Sequence, residues 1–294
     1  MSMTSGVPRL EASADPDASA APVLEKAARI LSAFEGRRPT LSLTDVVRHT
    51  GLSRTTVHRL MGQLVELGWL GKDGRRYFLG LGLLELGAFA SHHNRLRRAA
   101  LPHLIALHEA TGHWVQLFVQ DGAEVLCLEQ IGDPRRSSLP YQVGTRLPVH
   151  CTAAGKALLA FGGATTVERL LAGRLLPRTR NTLIRGNALR SELATVHSTG
   201  VAYDREECFQ GVTCVAAPLR GSGRALAAVS LSRGPGPGDL DRLARQVARC
   251  AGATWALLFD SSRRFEEARR EVAEPVPDSD AESVMAWLFF SEWE

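Results

Sequence analysis

The sequence predicts an α+β chain in two parts, helices first and an antiparallel sheet flanked by helices second. Three observations point to it. Apolar residues recur at helical spacing in several segments between Val23 and Leu101. Pairs of β-rich runs, joined by turns rich in glycine, follow within HWVQLFVQDGAEVLCLEQI and GVTCVAAPLRGSGRALAAVSLS. Charge is also divided along the chain. From Val23 to Ala100, 13 Lys and Arg face 6 Asp and Glu, whereas after Asp260 there are 4 against 9.

The first part divides in order. Val23, Leu24, Ala27, Ile30, Leu31 and Phe34 make one helical face, which Glu35-Gly36 ends. In LSLTDVVRHTGL, Ser42 with Asp45 three residues on resembles a capping box, and Gly51 stops the short helix it opens. Ser53 is an N-cap for a longer helix in which Val57, Leu60, Met61, Leu64 and Leu67 form a buried stripe. Gly68 suits the position just past its end, where a left-handed backbone suits glycine. WLGKDGRRYFL then reads as a hairpin of Trp69-Leu70 and Tyr77-Phe78-Leu79, turning at Lys72-Asp73-Gly74 with Arg75 and Arg76 near the tip. Helix, short helix, turn, helix and hairpin make a winged helix-turn-helix. Leu81 to Leu101 is a further helical pattern, a linker carrying RLRR at Arg95 to Arg98.

The second part begins with strand, DG turn and strand. GTRLPVHCTAAGKALLAF is a loop leading into a helix, and DLDRLARQVARCAGATWALLF closes the sheet with a helix from near Asp239. Expected boundaries are a disordered tail at 1–22, a winged domain at 23–80, the linker helix at 81–100, a sheet domain at 101–260 and an extension at 261–294.

Composition bounds the function. At 294 residues and 45% hydrophobic content, the chain can build two cores. No run of about 18 apolar residues exists, so no membrane partner is expected. MSMTSGVPRLEASADPDASAAP lacks the basic start and apolar block of a signal peptide. Five scattered cysteines without C-x-x-C spacing fit a reducing cytoplasm.

In a helix-turn-helix the second helix enters the major groove and its N-terminal residues meet base edges. Here those are Arg54, Thr55, Thr56, His58 and Arg59, with Ser53 and the helix N-terminus suited to a phosphate. Lys72, Arg75 and Arg76 of the hairpin add positive charge, so double-stranded DNA is the expected partner. Other chemistry fits less well. AAGKA lacks the glycine of a phosphate-binding loop, because His150 stands in its place. His103, His108 and His113 are spaced by five, not the four of a zinc helix, so no metal is expected. Cys151 and Cys214 have no G-x-S-x-G counterpart, and Cys214 lies in an apolar run where a buried thiol is inert. No catalytic residue or cofactor is therefore expected. A small-ligand pocket remains: exposed N–H groups at the helix start in HCTAAGKA suit a carboxylate, and Ser230 and Ser232 share one strand face.

The whole order resembles the IclR-type bacterial transcriptional regulators over about residues 23 to 260. LSLTDVVRHTGLSRTTVHRLMGQLVELGWL, YFLGLGLLELG, GTRLPVHCTAAGKALLA, GVAYDREECFQGVTCVAAPL and AAVSLS carry the resemblance. It implies a winged-helix domain, a linker helix and a GAF-like effector-binding domain. It also implies a homodimer or homotetramer on an operator, answering a small organic acid or aromatic metabolite; repressors and activators share this architecture, and a repressor is the expectation here. Its pocket positions fall on Leu147, Ala153, Ala154, Asp204, Cys214, Ser230 and Ser232, with Ala153 and Ala154 acting through backbone amides. The chain departs from the family after residue 260, where an acidic segment precedes AESVMAWLFFSEWE; Val284, Trp287, Leu288 and Trp293 there form an apolar stripe. Two other readings stay open: an enzyme using the pocket beside a vestigial DNA-binding domain, and an adaptor working through the aromatic tail.

Overall fold

The computed structural model describes residues 22–34, 40–88, 91–135, 138–234 and 240–271. The N-terminal tail, Glu35-Gly36 and the stripe from Val284 to Trp293 lie outside them.

Helix α1 (Val23–Ser32) buries Ile30, and β1 (Leu41–Ser42) leads into α2 (Leu43–Thr50). The expected capping box is present. The Ser42 hydroxyl accepts from the Asp45 amide at 3.2 Å, and the Asp45 carboxylate accepts from the Ser42 amide at 3.0 Å. The Ser42 hydrogen bonds also hold the Asp45 carboxyl below the usual carboxylate range. Gly51, at φ 68°, ends α2. Ser53 then caps α3 (Arg54–Glu66), its hydroxyl accepting from the Thr56 amide at 3.2 Å.

Val57, Leu60, Met61 and Leu64 are buried against α1 and α2, each contributing on the order of 2 kcal/mol. The expected stripe stops there: Leu67 is 62% exposed. The chain turns away just past it through a Schellman pair, Trp69 N–H to Leu64 O and Gly68 N–H to Val65 O.

Strands β2 (Leu70–Asp73) and β3 (Arg76–Leu79) form the wing. Lys72 and Asp73 lie in β2 rather than in the turn, because Asp73 pairs with Arg76 and leaves only Gly74-Arg75 between the strands. Gly74 supplies the positive φ of 54° that a two-residue hairpin turn requires. Strand β1 joins this sheet beside β3, in the order β1-β3-β2, a pairing that local pattern did not reveal.

After α4 (Leu81–Ala88) comes α5 (Ser91–Thr111), ten residues longer than the expected end at Leu101. It continues because Leu96, Ala100, Leu104 and Leu107 keep one stripe buried against the large sheet. That sheet takes β4 (Trp114–Asp121), β5 (Glu124–Ile131) and β6 (Arg146–Pro148). Three helices follow: α6 (Ala153–Ala160), α7 (Ala164–Ala172) and α8 (Gly186–Thr199). Strands β7 (Ala202–Arg205), β8 (Thr213–Leu219) and β9 (Ala227–Arg233) precede α9 (Leu240–Glu271).

The sheet is antiparallel throughout, in the order β6-β5-β4-β9-β8-β7. Helices α5 and α9 cover one face, over Val115, Leu117, Val215, Leu219, Val229 and Leu231. Helix α6 lies on the other, backed by α8, over Phe118, Cys214, Ala216 and Ala228. Covered on both sides, the central strands are nearly continuous apolar runs. Among the described residues no helix is long and apolar enough to cross a membrane.

Candidate functional site

On α3 the residues opposite the buried stripe are Arg54, Thr55, His58 and Arg59, all exposed. Successive residues turn by about 100°, so these four share one arc of the helix, and Gly62 completes it. Thr56 is half-buried and accepts the Ser53 hydroxyl hydrogen at 2.9 Å, so both belong to the cap at the helix start. The arc leaves two guanidinium groups facing solvent above a rigid, capped helix.

The wing residues separate. Lys72 stands opposite Tyr77 and places its ammonium 5.6 Å from that ring. Arg76 stands opposite Asp73 and Ser42, on the other face, toward the Asp45 carboxylate. Of the three, only Arg75 lies in the turn, beside Gly74. Lys72, Arg75 and Arg76 are exposed but do not make one patch at the tip.

A second constellation is buried on the α6 face of the large sheet. Asp204, Cys214 and Ser232 stand side by side on β7, β8 and β9. Ser230, one pleat along β9, shares their face. The Ser232 hydroxyl lies 3.1 Å from the Cys214 thiol and 3.1 Å from the Tyr141 hydroxyl, and donates to Gln116 Oε1 at 3.1 Å. Tyr141 arrives from the loop before β6, which is tied to β5 by Gly144 N–H to Cys127 O and Cys127 N–H to Thr145 O. Its ring sits 6.1 Å from Phe118 and is stacked 5.8 Å from Phe209. Spacing alone revealed neither Tyr141 nor Gln116. Leu147 belongs to the same apolar cluster but stands on β6, the opposite edge strand from Asp204.

Helix α6 packs over β7, β8 and β9, the strands that carry this row. Thr152 caps the helix, accepting from Gly155 N–H at 3.1 Å and donating to Pro148 O at 2.9 Å. The N–H groups of Ala153 and Ala154 are left without partners inside the helix. The glycine that suggested a phosphate loop serves packing instead: a Cβ on Gly155 would meet Val149 O at 2.2 Å. Lys156 is fully buried, with its ammonium 2.7 Å from Glu207 and 3.1 Å from Glu192.

The electrostatics suit neutral groups. Burial, with the Glu207 carboxylate adding to it, pushes the Asp204 carboxyl up to about 7, against the Glu207 amide donating to it at 2.6 Å. Burial lifts the Cys214 thiol and the Tyr141 hydroxyl well above their ordinary ranges, so Cys214 carries no thiolate. A surface cleft of about 440 Å³, lined by Arg178, Asn181, Glu206, Cys208 and Phe209 among others, shares Phe209 with the Phe118–Tyr141–Phe209 ring cluster.

A winged helix-turn-helix joined to a sheet domain with an enclosed polar row defines a class: ligand-responsive, DNA-binding transcriptional regulators, not enzymes. Residues 23–74 match the IclR helix-turn-helix domain, and residues 88–252 match the C-terminal domain of bacterial IclR transcriptional regulators. The chain belongs to the IclR family. It is 36% identical to the HTH-type transcriptional regulator XynR of Escherichia coli K12, over 71% of this chain and 84% of that protein. Among solved structures it resembles an IclR homolog from Microbacterium hydrocarbonoxydans complexed with 4-hydroxybenzoate, at TM-score 0.74 and 28% identity, over 81% of this chain and 100% of that one. It also resembles IclR of Thermotoga maritima, at TM-score 0.66 and 26% identity, over 80% and 98%.

Proposed function

We propose that this regulator is a cytoplasmic repressor whose α3 reads operator bases and whose α6-facing chamber takes a small aromatic acid of the hydroxybenzoate kind. The single observation behind the ligand class is the joining of a buried polar row to the Phe118–Tyr141–Phe209 wall under open amides. The amides of Ala153 and Ala154 take the carboxylate. Asp204, Cys214, Ser230 and Ser232 supply the polar lining, and Leu147 closes the apolar edge. The structural neighbour complexed with 4-hydroxybenzoate supports this class.

On the DNA side, Arg54, Thr55, His58 and Arg59 face base edges, while Ser53, Thr56, Lys72, Arg75 and Arg76 neutralise or bond phosphates. Two copies present two such helices to a palindromic site. Leu81 at 74% and Leu84 at 70% exposure on α4 are apolar surface for a second copy to cover.

Substituting Arg54 or His58 by Ala is expected to cost about 1–3 kcal/mol of discrimination between operator and random DNA, with unfolding temperature unchanged. Competition binding at fixed salt measures this; full discrimination in both variants removes α3 from the reading role. Adding 4-hydroxybenzoate to the operator complex is expected to release DNA from the wild type and not from Asp204→Ala.

A further inference from the structure

Gln116 sits in the middle of β4 with no exposed surface at all. Its flanking residues, Val115 and Leu117, face α5 and α9, so the Gln116 side chain must lie on the α6 face with the polar row. Half of its amide is accounted for, since Oε1 accepts from Ser232 Oγ at 3.1 Å. The other half is not: Nε2 is buried and has no hydrogen-bond partner among the described residues. A buried donor left unmatched is unfavourable and uncommon. Here it is anchored by its own oxygen, next to the Tyr141 hydroxyl, which meets the same Ser232.

The place of this donor in the sheet gives it a role. Helix α6, with its two open amides, packs chiefly over β7, β8 and β9, whereas Gln116 stands on β4, beyond β9. From Asp204 on β7 to Gln116 on β4 is three strand spacings, about 14 Å. An acid of two or three carbons held at the α6 end leaves Nε2 unmet. A flat ring with polar substituents at opposite ends spans much more of the row, and the Tyr141 ring with Phe118 and Phe209 supplies its apolar flank.

We propose that Gln116 is an effector contact that reads the far end of the ligand, its Nε2 donating to an oxygen carried on the ring opposite the carboxylate. The inference rests on the aromatic-acid reading above and adds to it a ligand with a second oxygen and a named residue that selects for it. Ser232 and Tyr141 position the amide, and Gln116 touches the ligand.

The test uses the full chain with benzoate and 4-hydroxybenzoate, which differ only in the far oxygen, titrated by calorimetry against wild type and Gln116→Leu. The wild type is expected to favour the hydroxylated acid by about tenfold or more, the scale of one good hydrogen bond to a buried group. Gln116→Leu is expected to erase that preference, binding benzoate within about threefold of wild type. Gln116→Met, unbranched and of similar length, carries the same comparison if the leucine variant does not fold. Preference retained in the variant, or both acids weakened alike, overturns the role of Gln116 while leaving the aromatic-acid reading in place. Failure of both acids to bind the folded wild type overturns that reading, and the inference with it.

Discussion

On α3 the polar side chains point outward and are free to meet a partner, whereas on the α6 face of the large sheet they are buried and bonded to one another. Arg54, His58 and Arg59 ride on a helix whose stability comes from the opposite face, so they can change without disturbing the core. Asp204, Cys214, Ser232 and Gln116 are themselves part of a core. Their chemistry and their packing cannot be varied separately. A polar face outside the core can vary with little cost to the fold, while a polar row inside it must be built into the packing.

Three changes press on that difference. The largest effect is expected at Lys156, whose buried ammonium pairs with Glu207 and Glu192. Lys156→Met leaves the Glu207 carboxylate buried without its partner and is expected to destabilise the sheet domain by about 3–5 kcal/mol in urea unfolding. Adding Glu207→Leu should recover part of the loss, and no recovery would mean that the lysine acts by packing alone.

Next comes Asp204. In the folded chain its carboxyl holds a proton up to about pH 7, while an ordinary aspartate loses it near 3.8. The folded form therefore loses stability as pH rises from about 4 through 7, and Asp204→Asn removes that dependence. Thermal scans from pH 5 to 8 are expected to show the variant gaining on wild type as pH rises, on the order of 2 kcal/mol at the top. A pH-independent gap would assign the burial cost elsewhere.

The smallest effect belongs to the exposed face. Gly62 has open space where a Cβ would go and no positive φ, so Gly62→Ala is expected to raise the stability of the winged domain by about 0.5–1 kcal/mol. A fall in operator affinity with that gain would place Gly62 against DNA.

What the sequence made legible follows the same division. Ser42 with Asp45, Ser53, Gly51 and Gly68 were readable because caps and stops are local. The strand pairs around Gly122 and the serines sharing a face of β9 were readable from period and turn chemistry. Strand β1 was not, because two residues carry no period and owe their state to β3. The length of α5 was hidden by Pro102 and the histidines, whose polarity masks a stripe that only the sheet completes. Lys156 read as a failed phosphate loop because its partners lie 36 and 51 residues away. Gln116 did leave a signal. A polar residue inside WVQLFV, in a strand apolar on both faces, has no exposed side to turn toward.

All five cysteines, Cys127, Cys151, Cys208, Cys214 and Cys250, are free and buried. None precedes residue 127, so the winged half has no thiol at all. The molecule thus carries its own stopwatch. A thiol-reactive dye reports on the sheet domain alone, with Cys208 at the surface cleft nearest to its reach, and it is blind to fraying of the DNA-binding half. Pulse labelling with and without a candidate acid would time the opening of the ligand domain in the intact chain, with no engineered cysteine.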